Sequence, residues 1–494
     1  MTVTLPSAPR VLPLTRWHQP FAALDPDGIA RIHGAALEVL DRIGVVARSA
    51  SVRRDLAAAG LRVDDAAERV RFRAGEVEAA LRSSPRSFTL AARDPAADLA
   101  LDGRHAWLSL DGSAAELVDF ETGRRRASGV ADVEAVSRLA DALPEIGFLW
   151  QAVEAGDRPV AVRPLHELRA QLTNSSKHVQ LMTAVDPFQA EGAVAMARAV
   201  AGGSDALRAR PILSAFEVSL SPLTFEGDAL EAAVVYGRAG VPCGFVVMPI
   251  ACATAPATPA GVLVLSHAEA LAGITILETL VPGAPTFYGA CSTTMDLRTA
   301  LVACGGPEDL LFQVALTQLA HAAGVPASIG TFATGSKAPD WQAGLENGLS
   351  GLASLLAGAD MCSGAGLLHA ARVYSLDDLV LDTEIWSLLA HLGRGIELSD
   401  DDLAVEVIAA VGPAGDYLTE DHTLAHMRKL WQPRYFDRRT WEDWEASGRA
   451  APPARAHERV RALLESHVPI PLADGVAADL DRIVDEYSAR AGVR

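Results

Sequence analysis

The chain has 494 residues, half of them apolar, and a formal net charge of -19. Its length allows two or three domains, or a single barrel with long extensions, and its apolar fraction allows a large core. The negative charge argues against a nucleic-acid partner and against binding to an anionic membrane, because both surfaces repel an acidic protein.

The five cysteines form no C-x-x-C pair, so the sequence predicts neither a disulfide framework nor a zinc knuckle. No N-terminal run has the basic start and apolar stretch of a signal peptide, and no stretch of about 18 apolar residues is free of charges and glycines. We therefore expect a cytoplasmic protein that does not enter a membrane.

The first quarter of the chain predicts a mixed extension. Residues 1–25 are rich in proline and polar residues, which predicts an arm. Apolar residues at helical spacing predict helices within residues 25–61 and 70–81. Residues 105–126 combine short apolar runs with the turn Glu121-Thr122-Gly123, which predicts a β-hairpin or a β-meander outside the main repeat.

From Val130 onward, predicted helices and strands alternate regularly and are joined by short turns. Seven strands can be counted, near residues 146–152, 178–183, 211–218, 243–249, 286–290, 327–332 and 359–362. An eighth strand is expected before Leu398. This count favours a (β/α)8 TIM barrel over an open sheet. The predicted units are an N-terminal helical and β-hairpin extension at 1–128, the barrel at 129–400, and a C-terminal helical extension at 401–494.

The loops after the strands are where parallel α/β barrels bind ligands, because helix N-termini and free backbone groups converge there. The predicted strand ends carry four aromatic residues and one acid, namely Trp150, Phe216, Glu217, Tyr288 and Phe332. Aromatic faces with a carboxylate suit a quaternary ammonium ion, whose diffuse charge offers no hydrogen bond. The alternative is that these aromatic residues are ordinary barrel core.

Three other features allow chemistry but also have a structural explanation. His369 follows the turn at residues 363–366 and could act as an acid, a base or a carboxylate contact, or be structural. Lys337 could attract an anionic substrate tail or a cofactor phosphate, or simply be solvated. His422 and His426 have helical i, i+4 spacing but no supporting acid further along the chain, so no metal site is predicted.

A family resemblance rests on several segments that occur in order and at matching spacing. They are Ala36–Val45, Ser221-Pro222-Leu223, Met248–Pro256, Tyr288-Gly289 with Met295–Thr299, Ser336–Asp340 with Gln342–Gly344, and Phe436–Arg439. Over roughly residues 28–470 the chain resembles the trimethylamine methyltransferase family, the corrinoid-dependent amine methyltransferases. The resemblance implies a TIM-barrel fold.

The resemblance also implies a reaction, in which a methyl group passes from a methylated amine to the Co(I) of a corrinoid on a separate small protein. The founding enzymes use pyrrolysine, which this chain lacks, so it is similar to the branch without pyrrolysine that includes glycine betaine methyltransferases. A quaternary nitrogen leaves as a neutral amine and needs no general acid. Catalysis then reduces to alignment of the reactants and exclusion of water.

Met248 and Thr334 at the predicted strand ends and Lys337 in its loop are expected to face the cofactor. The resemblance gives other residues a role by position. Trp107 and Glu116 lie where relatives place substrate-contacting residues. Together with the rim residues, the expected substrate contacts are Trp107, Glu116, Trp150, Glu217, Tyr288, Phe332, Ser363 and His369.

Two of these positions differ from the family pattern, since Ser363 stands where many relatives have His and His369 where many have Glu. We therefore favour a methylated amine other than glycine betaine, with Glu116 or Glu217 facing its cation. Two other functions stay open: a methyl or C–N transfer without a corrinoid, and a catalytically inactive amine-binding barrel. A homo-oligomer is also expected, because the aromatic segment from Trp431 to Trp444 can pack on a neighbouring subunit.

Overall fold

The structure is a computed structural model that describes residues 10–15 and 21–493. The predicted arm at residues 1–25 lies largely outside these residues. The described chain forms a closed parallel barrel with a helix after every strand, and extensions precede and follow it. The predicted (β/α)8 fold with two extensions is confirmed.

Eight parallel strands, β1 to β8, form the barrel: His105–Ser109, Ile146–Trp150, His178–Leu181, Leu213–Leu220, Cys243–Val247, Tyr288–Ala290, Ala327–Gly330 and Met361–Ser363. Each strand pairs with the next one in the chain. The barrel closes where β8 pairs with β1, with Met361 opposite Trp107 and Cys362 opposite Leu108. Because all strands are parallel, their carboxyl ends meet at one end of the barrel.

Each strand is followed by one barrel helix, and these are α1 to α8: Val130–Ala142, Arg163–Asn174, Pro187–Ala201, Gly227–Ala239, Pro259–Leu280, Pro307–Ala323, Trp341–Ala357 and Leu376–Gly393. Helix α5 is, within the described residues, the one helix long and apolar enough to cross a membrane. Its most apolar window is 78% buried. It packs against β5, β6 and the helices of the N-terminal extension.

The first strand of the barrel differs from the prediction. The prediction of an eighth strand before Leu398 was wrong, because helix α8 ends in that stretch and a loop follows it. The eighth strand is instead β1, which the sequence placed in a hairpin outside the barrel. The segment after β1 does form a small antiparallel pair, Glu116–Val118 with Arg125–Ala127, so the local pattern resembles a hairpin. The division into 1–128, 129–400 and 401–494 stays a prediction, although β1 precedes its first boundary.

The extensions cover the outside of the barrel. The N-terminal one contains the helices Pro26–Arg42, Ala50–Ala58 and Ala74–Ser83 and the short strands Val45–Ala47, Arg62–Asp64, Arg69–Arg71, Phe88–Leu90 and Leu99–Leu101. The C-terminal one contains the helices Asp400–Leu403, Val405–Val411, Asp421–His426, Trp441–Ala446, Pro452–Ser466 and Val476–Arg490. The last two pack on α8 and α3 respectively, so the end of the chain returns to the barrel.

Candidate active site

A cavity of about 260 Å³ lies at the carboxyl end of the barrel. Every strand contributes to its wall at or near its last residue, through Asp111, Trp150, Met182, Val218, Met248, Ala290, Gly330 and Ser363. This is the end at which (β/α)8 barrels place their active sites. The cavity is therefore the candidate active site.

Asp111 is the acid that faces the cavity most openly. It follows β1, keeps part of its surface exposed, and its Oδ2 accepts a hydrogen bond of 2.7 Å from Ser363 Oγ. Burial raises the pKa of Asp111 to about 7, although the hydrogen bonds from Ser363 and the Gly112 backbone oppose the shift. Near neutral pH this carboxyl group is therefore close to the midpoint of its titration.

A second acid, Asp309, lines the cavity from helix α6, but both of its oxygens are already bonded. They accept hydrogen bonds from Thr293 Oγ1 at 2.7 Å and from the Gly305 amide at 2.9 Å. Burial raises the pKa of Asp309 to about 7. Burial also raises the pKa of the Cys304 thiol to about 12 and that of the Cys291 thiol further. Both thiols of the cavity wall are therefore protonated at neutral pH.

Part of the wall is aromatic. Trp150 stacks on Phe216 with ring centroids 4.8 Å apart, and Phe287 meets Phe216 edge to face at 4.6 Å. A side chain at Gly289 would lie 2.6 Å from the Phe216 ring, so glycine is required there. Among the described residues that line the cavity, none is Lys, Arg or His. The wall suits a cation with diffuse charge and disfavours an anion.

The turn after β8 holds Ser363 in place. A side chain at Gly364, which has φ 119°, would lie 2.6 Å from the Phe332 backbone. The amide of Gly366 donates a 2.8 Å hydrogen bond to the buried carboxyl of Asp382 in α8. These contacts fix the loop that carries Ser363 next to Asp111.

Four of the residues predicted at the rim lie in the cavity wall, namely Trp150, Phe216, Met248 and Ser363. Three of them lie at or directly after the end of their strands, as expected, whereas Phe216 lies within β4. Their contact with a substrate or a cofactor stays a prediction.

Two predicted residues lie on barrel strands but face the helices. Glu217 alternates with Phe216 and Val218, both of which line the cavity, so its side chain faces the other way. Burial raises the pKa of Glu217 well above the usual range, and Asp186 adds to the shift. Tyr288 is buried against α5, where its hydroxyl lies 3.1 Å from His267 Nδ1. Glu217 is therefore not part of the cavity wall, and its contact with a substrate cation stays a prediction.

Three more predicted residues pack away from the cavity. Trp107 is buried in β1 and donates its indole N–H to the Ala100 carbonyl at 2.9 Å. Phe332 is buried beside Trp386. Thr334 is buried and donates its hydroxyl to Glu346. Their side chains are engaged in packing or in the hydrogen bonds of the barrel, so the predicted direct contacts of these residues are not supported.

The remaining predicted residues lie near the mouth rather than in the wall. Glu116 forms an ion pair with Arg125 at 3.5 Å. Lys337 is exposed, and His369 precedes the wall residues Ala370 and Ala371. Partial burial lowers the pKa of His369, and the positive charges of Lys337, Arg372 and Arg125 lower it further. The mouth is thus locally basic, although the chain is acidic overall.

The sequence analysis missed both acids of the cavity. Asp111 follows β1 by two residues, so it would have been found if His105–Ser109 had been assigned to the barrel. Asp309 lies in the first turn of α6, where an acid is commonly explained by the helix dipole. For this reason the sequence pattern alone did not indicate that Asp309 lines the cavity.

Comparison with known proteins identifies the family. A family model for trimethylamine methyltransferase matches residues 4–492. The trimethylamine methyltransferase MttB of Desulfitobacterium hafniense is 32% identical over 96% of this chain and 95% of that protein. A glycine betaine methyltransferase from another strain of the same species is 31% identical over 95% of this chain and 98% of that protein. A trimethylamine methyltransferase of Methanosarcina mazei is 30% identical over 93% of this chain and 94% of that protein.

Among solved structures, the monomethylamine methyltransferase of Methanosarcina barkeri aligns with a TM-score of 0.46 and 13% identity, over 91% of this chain and 96% of that chain. That likeness is too distant to carry an argument. The match to the family model and the identities over nearly the whole length are sufficient. The chain belongs to the trimethylamine methyltransferase family.

Proposed function

We propose that this methyltransferase takes a methyl group from a small quaternary amine and passes it to a corrinoid on a separate protein. One observation carries the substrate class: the cavity combines the Asp111 carboxyl with the stacked rings of Trp150 and Phe216, and its described wall has no basic side chain. Family membership supports the reaction class. The chemistry of the wall supports a cationic substrate.

Recognition of the cation rests on two complementary groups. The Trp150 face attracts a quaternary ammonium through its π-electrons, which is worth about 0.5–2 kcal/mol. Asp111 supplies a full negative charge once it ionises, and its pKa of about 7 makes ionisation easy at neutral pH. After demethylation the product is a neutral amine or one that can lose a proton. It is then held less strongly by Asp111 and can leave.

The size and charge of the cavity restrict the substrate. A volume of about 260 Å³ lies just below the range of roughly 300–1,000 Å³ that is usual for drug-sized ligands. A substrate carboxylate inside the cavity would meet Asp111 and Asp309 and no basic group of the described wall. We therefore propose a quaternary amine without an anionic group close to its nitrogen, which disfavours glycine betaine.

The residues at the mouth fit an approaching corrinoid. Ala370 and Ala371 present small side chains there, Met248 lies in the wall, and Lys337 is exposed beside them. We propose that Met248 and Lys337 contact the corrinoid, whose role is to supply the nucleophile that accepts the methyl group. The chain itself binds the cation, orients one methyl group towards the mouth and excludes water. The Cys291 and Cys304 thiols stay protonated, so they do not compete as nucleophiles.

The experiment is a demethylation assay with the full-length protein. Tetramethylammonium, choline and glycine betaine are each incubated with the protein, with and without a reduced corrinoid protein, and the demethylated amine is followed by proton NMR. Product that forms only with the corrinoid protein and a substrate lacking a carboxylate supports the proposal. Product without the corrinoid protein would indicate another acceptor, and binding without product would indicate a binding barrel.

A further inference from the structure

The segment between α8 and Trp431 has almost no core of its own. In residues 394–430 no residue is buried, and none of the helices Asp400–Leu403, Val405–Val411 and Asp421–His426 has a buried face. Apolar burial, the usual source of stability, is therefore small here. The segment must be held by other contacts.

Both ends of this segment are tied to the barrel. Helix α8 runs directly into it. At its far end the Trp431 indole donates to Ser387 at 3.2 Å, and the Arg434 amide donates to the Glu384 carboxylate at 2.7 Å. The segment is thus a loop with fixed ends and a middle part that lacks a core.

Three potential metal ligands meet in the middle of the segment. Asp401, His422 and His426 each offer a ligand atom, and these atoms lie within 4.8 Å of one another. His426 Nε2 lies 2.9 Å from Asp401 Oδ2, and His422 Nε2 lies 3.0 Å from the Asp401 carbonyl oxygen. The two rings stack with centroids 4.2 Å apart. The sequence analysis found no supporting acid after the histidine pair. Asp401 supplies that acid from a position 21 residues before His422.

We propose that Asp401, His422 and His426 bind a divalent transition-metal ion of the zinc class. Two imidazoles and one carboxylate form a set that such ions prefer, whereas Ca²⁺ and Mg²⁺ prefer oxygen ligands alone. Ligands of one zinc ion lie at most about 4.2 Å apart, since each bond is about 2.1 Å, so a small rotation of the side chains closes the site. One or more water molecules complete the coordination.

The surrounding charge favours a cation at this position. Residues 394–430 carry eight acidic side chains against three basic ones. One of the three basic residues, Lys429, is already engaged by Glu397 at 3.1 Å and by Asp402 at 3.3 Å. The local field therefore attracts a divalent ion.

The bound ion has a structural role and not a catalytic one, and we call it a staple because it cross-links two helices. It joins the helix Asp400–Leu403 to the helix Asp421–His426, which have no shared core. A metal can supply the stability that apolar burial does not provide in such a small unit. The segment becomes ordered when the ion is bound and more open when it is removed.

The test uses the full-length protein after removal of metals with a chelator. Zinc is titrated by calorimetry into the wild type, into the double variant His422→Ala/His426→Ala, and into Asp401→Asn. The control is His105→Ala, which removes another partly exposed histidine paired with an acid, Asp102 at 3.2 Å, and which has no third ligand among the residues that the structure describes. All the changed side chains of the proposed site lie outside the core, so folding should survive.

The wild type and the control are expected to bind one zinc ion more per chain than the double variant. Asp401→Asn should weaken this binding by at least about tenfold. Zinc should also slow tryptic cleavage after Arg394, Arg428 and Lys429. An equal zinc stoichiometry in wild type and double variant would overturn the site, and equal cleavage rates with and without zinc would overturn the staple.

Discussion

The substitution Asp111→Asn tests the electrostatic basis of substrate recognition. In the low-dielectric cavity, a carboxylate and a cation about 4–5 Å apart attract each other by roughly 3–4 kcal/mol at an effective dielectric constant of about 20. With a pKa of about 7, Asp111 is mostly ionised at pH 8, so little of this energy is spent on ionisation. Asp111→Asn should therefore weaken tetramethylammonium binding at pH 8 by roughly 100- to 1,000-fold.

The same residue predicts how binding depends on pH. The raised pKa of about 7 means that the empty site binds a proton which the cation must displace. Affinity for a permanently charged amine should therefore rise with pH, level off above pH 7, and be about tenfold weaker at pH 6 than at pH 8. Asp111→Asn should reduce this dependence, because an amide does not titrate and only Asp309, whose pKa is also about 7, is left to titrate in the described wall.

Calorimetric titration with tetramethylammonium at pH 6, 7 and 8 measures both effects. Glu217→Gln is the matched control, since this buried acid faces the helices and should leave affinity unchanged. Asp309→Asn should keep the pH dependence, because both oxygens of Asp309 are already bonded. The reasoning fails if Asp111→Asn binds like the wild type at pH 8, or if its affinity rises between pH 6 and pH 8 as steeply as that of the wild type.

Three further predictions concern the wall and the loop that supports it. Ser363→Ala removes the hydrogen bond that favours ionised Asp111, so the midpoint of the pH dependence should move upward in the same titrations. Trp150→Leu should weaken choline binding by about 0.5–2 kcal/mol, while binding of the neutral isostere 3,3-dimethylbutanol should change less; equal losses would exclude a cation–π contribution. Gly364→Ala should lower the free energy of unfolding in urea by about 1–3 kcal/mol, because φ is 119° and the added Cβ meets the Phe332 backbone; an unchanged value would show that the turn can adapt.

The fold could be predicted because each strand and each helix has its own local sequence pattern. Short turns separate each apolar strand from the helix before it, so seven strands were recognisable. The first strand was not, because no barrel helix precedes His105 and the residues after Ser109 pair antiparallel. Strand β1 is identified by its parallel pairing with β2 and by the pairing of Met361 with Trp107 that closes the barrel, and the latter two residues are far apart in the sequence.

The candidate site could be predicted only in part, because the face of a strand residue depends on its register. Trp150 and Ser363 end their strands, and their position on the rim followed from that alone. Glu217 and Tyr288 also lie on strands next to the cavity, but alternation turns their side chains to the helices. The sequence alone does not indicate which of two neighbouring strand residues points into the barrel. The register of β4 decides that Phe216, and not Glu217, lines the cavity.

The central claim is that the cavity holds a quaternary ammonium ion between Asp111 and the Trp150 ring. A crystal structure of the protein with tetramethylammonium tests it most directly. We predict the nitrogen within about 6 Å of the Trp150 ring centroid, with the Asp111 carboxylate as its nearest charge and one methyl group directed to the mouth. A cation bound elsewhere on the molecule, with the cavity free of it at saturating concentration, would contradict the account.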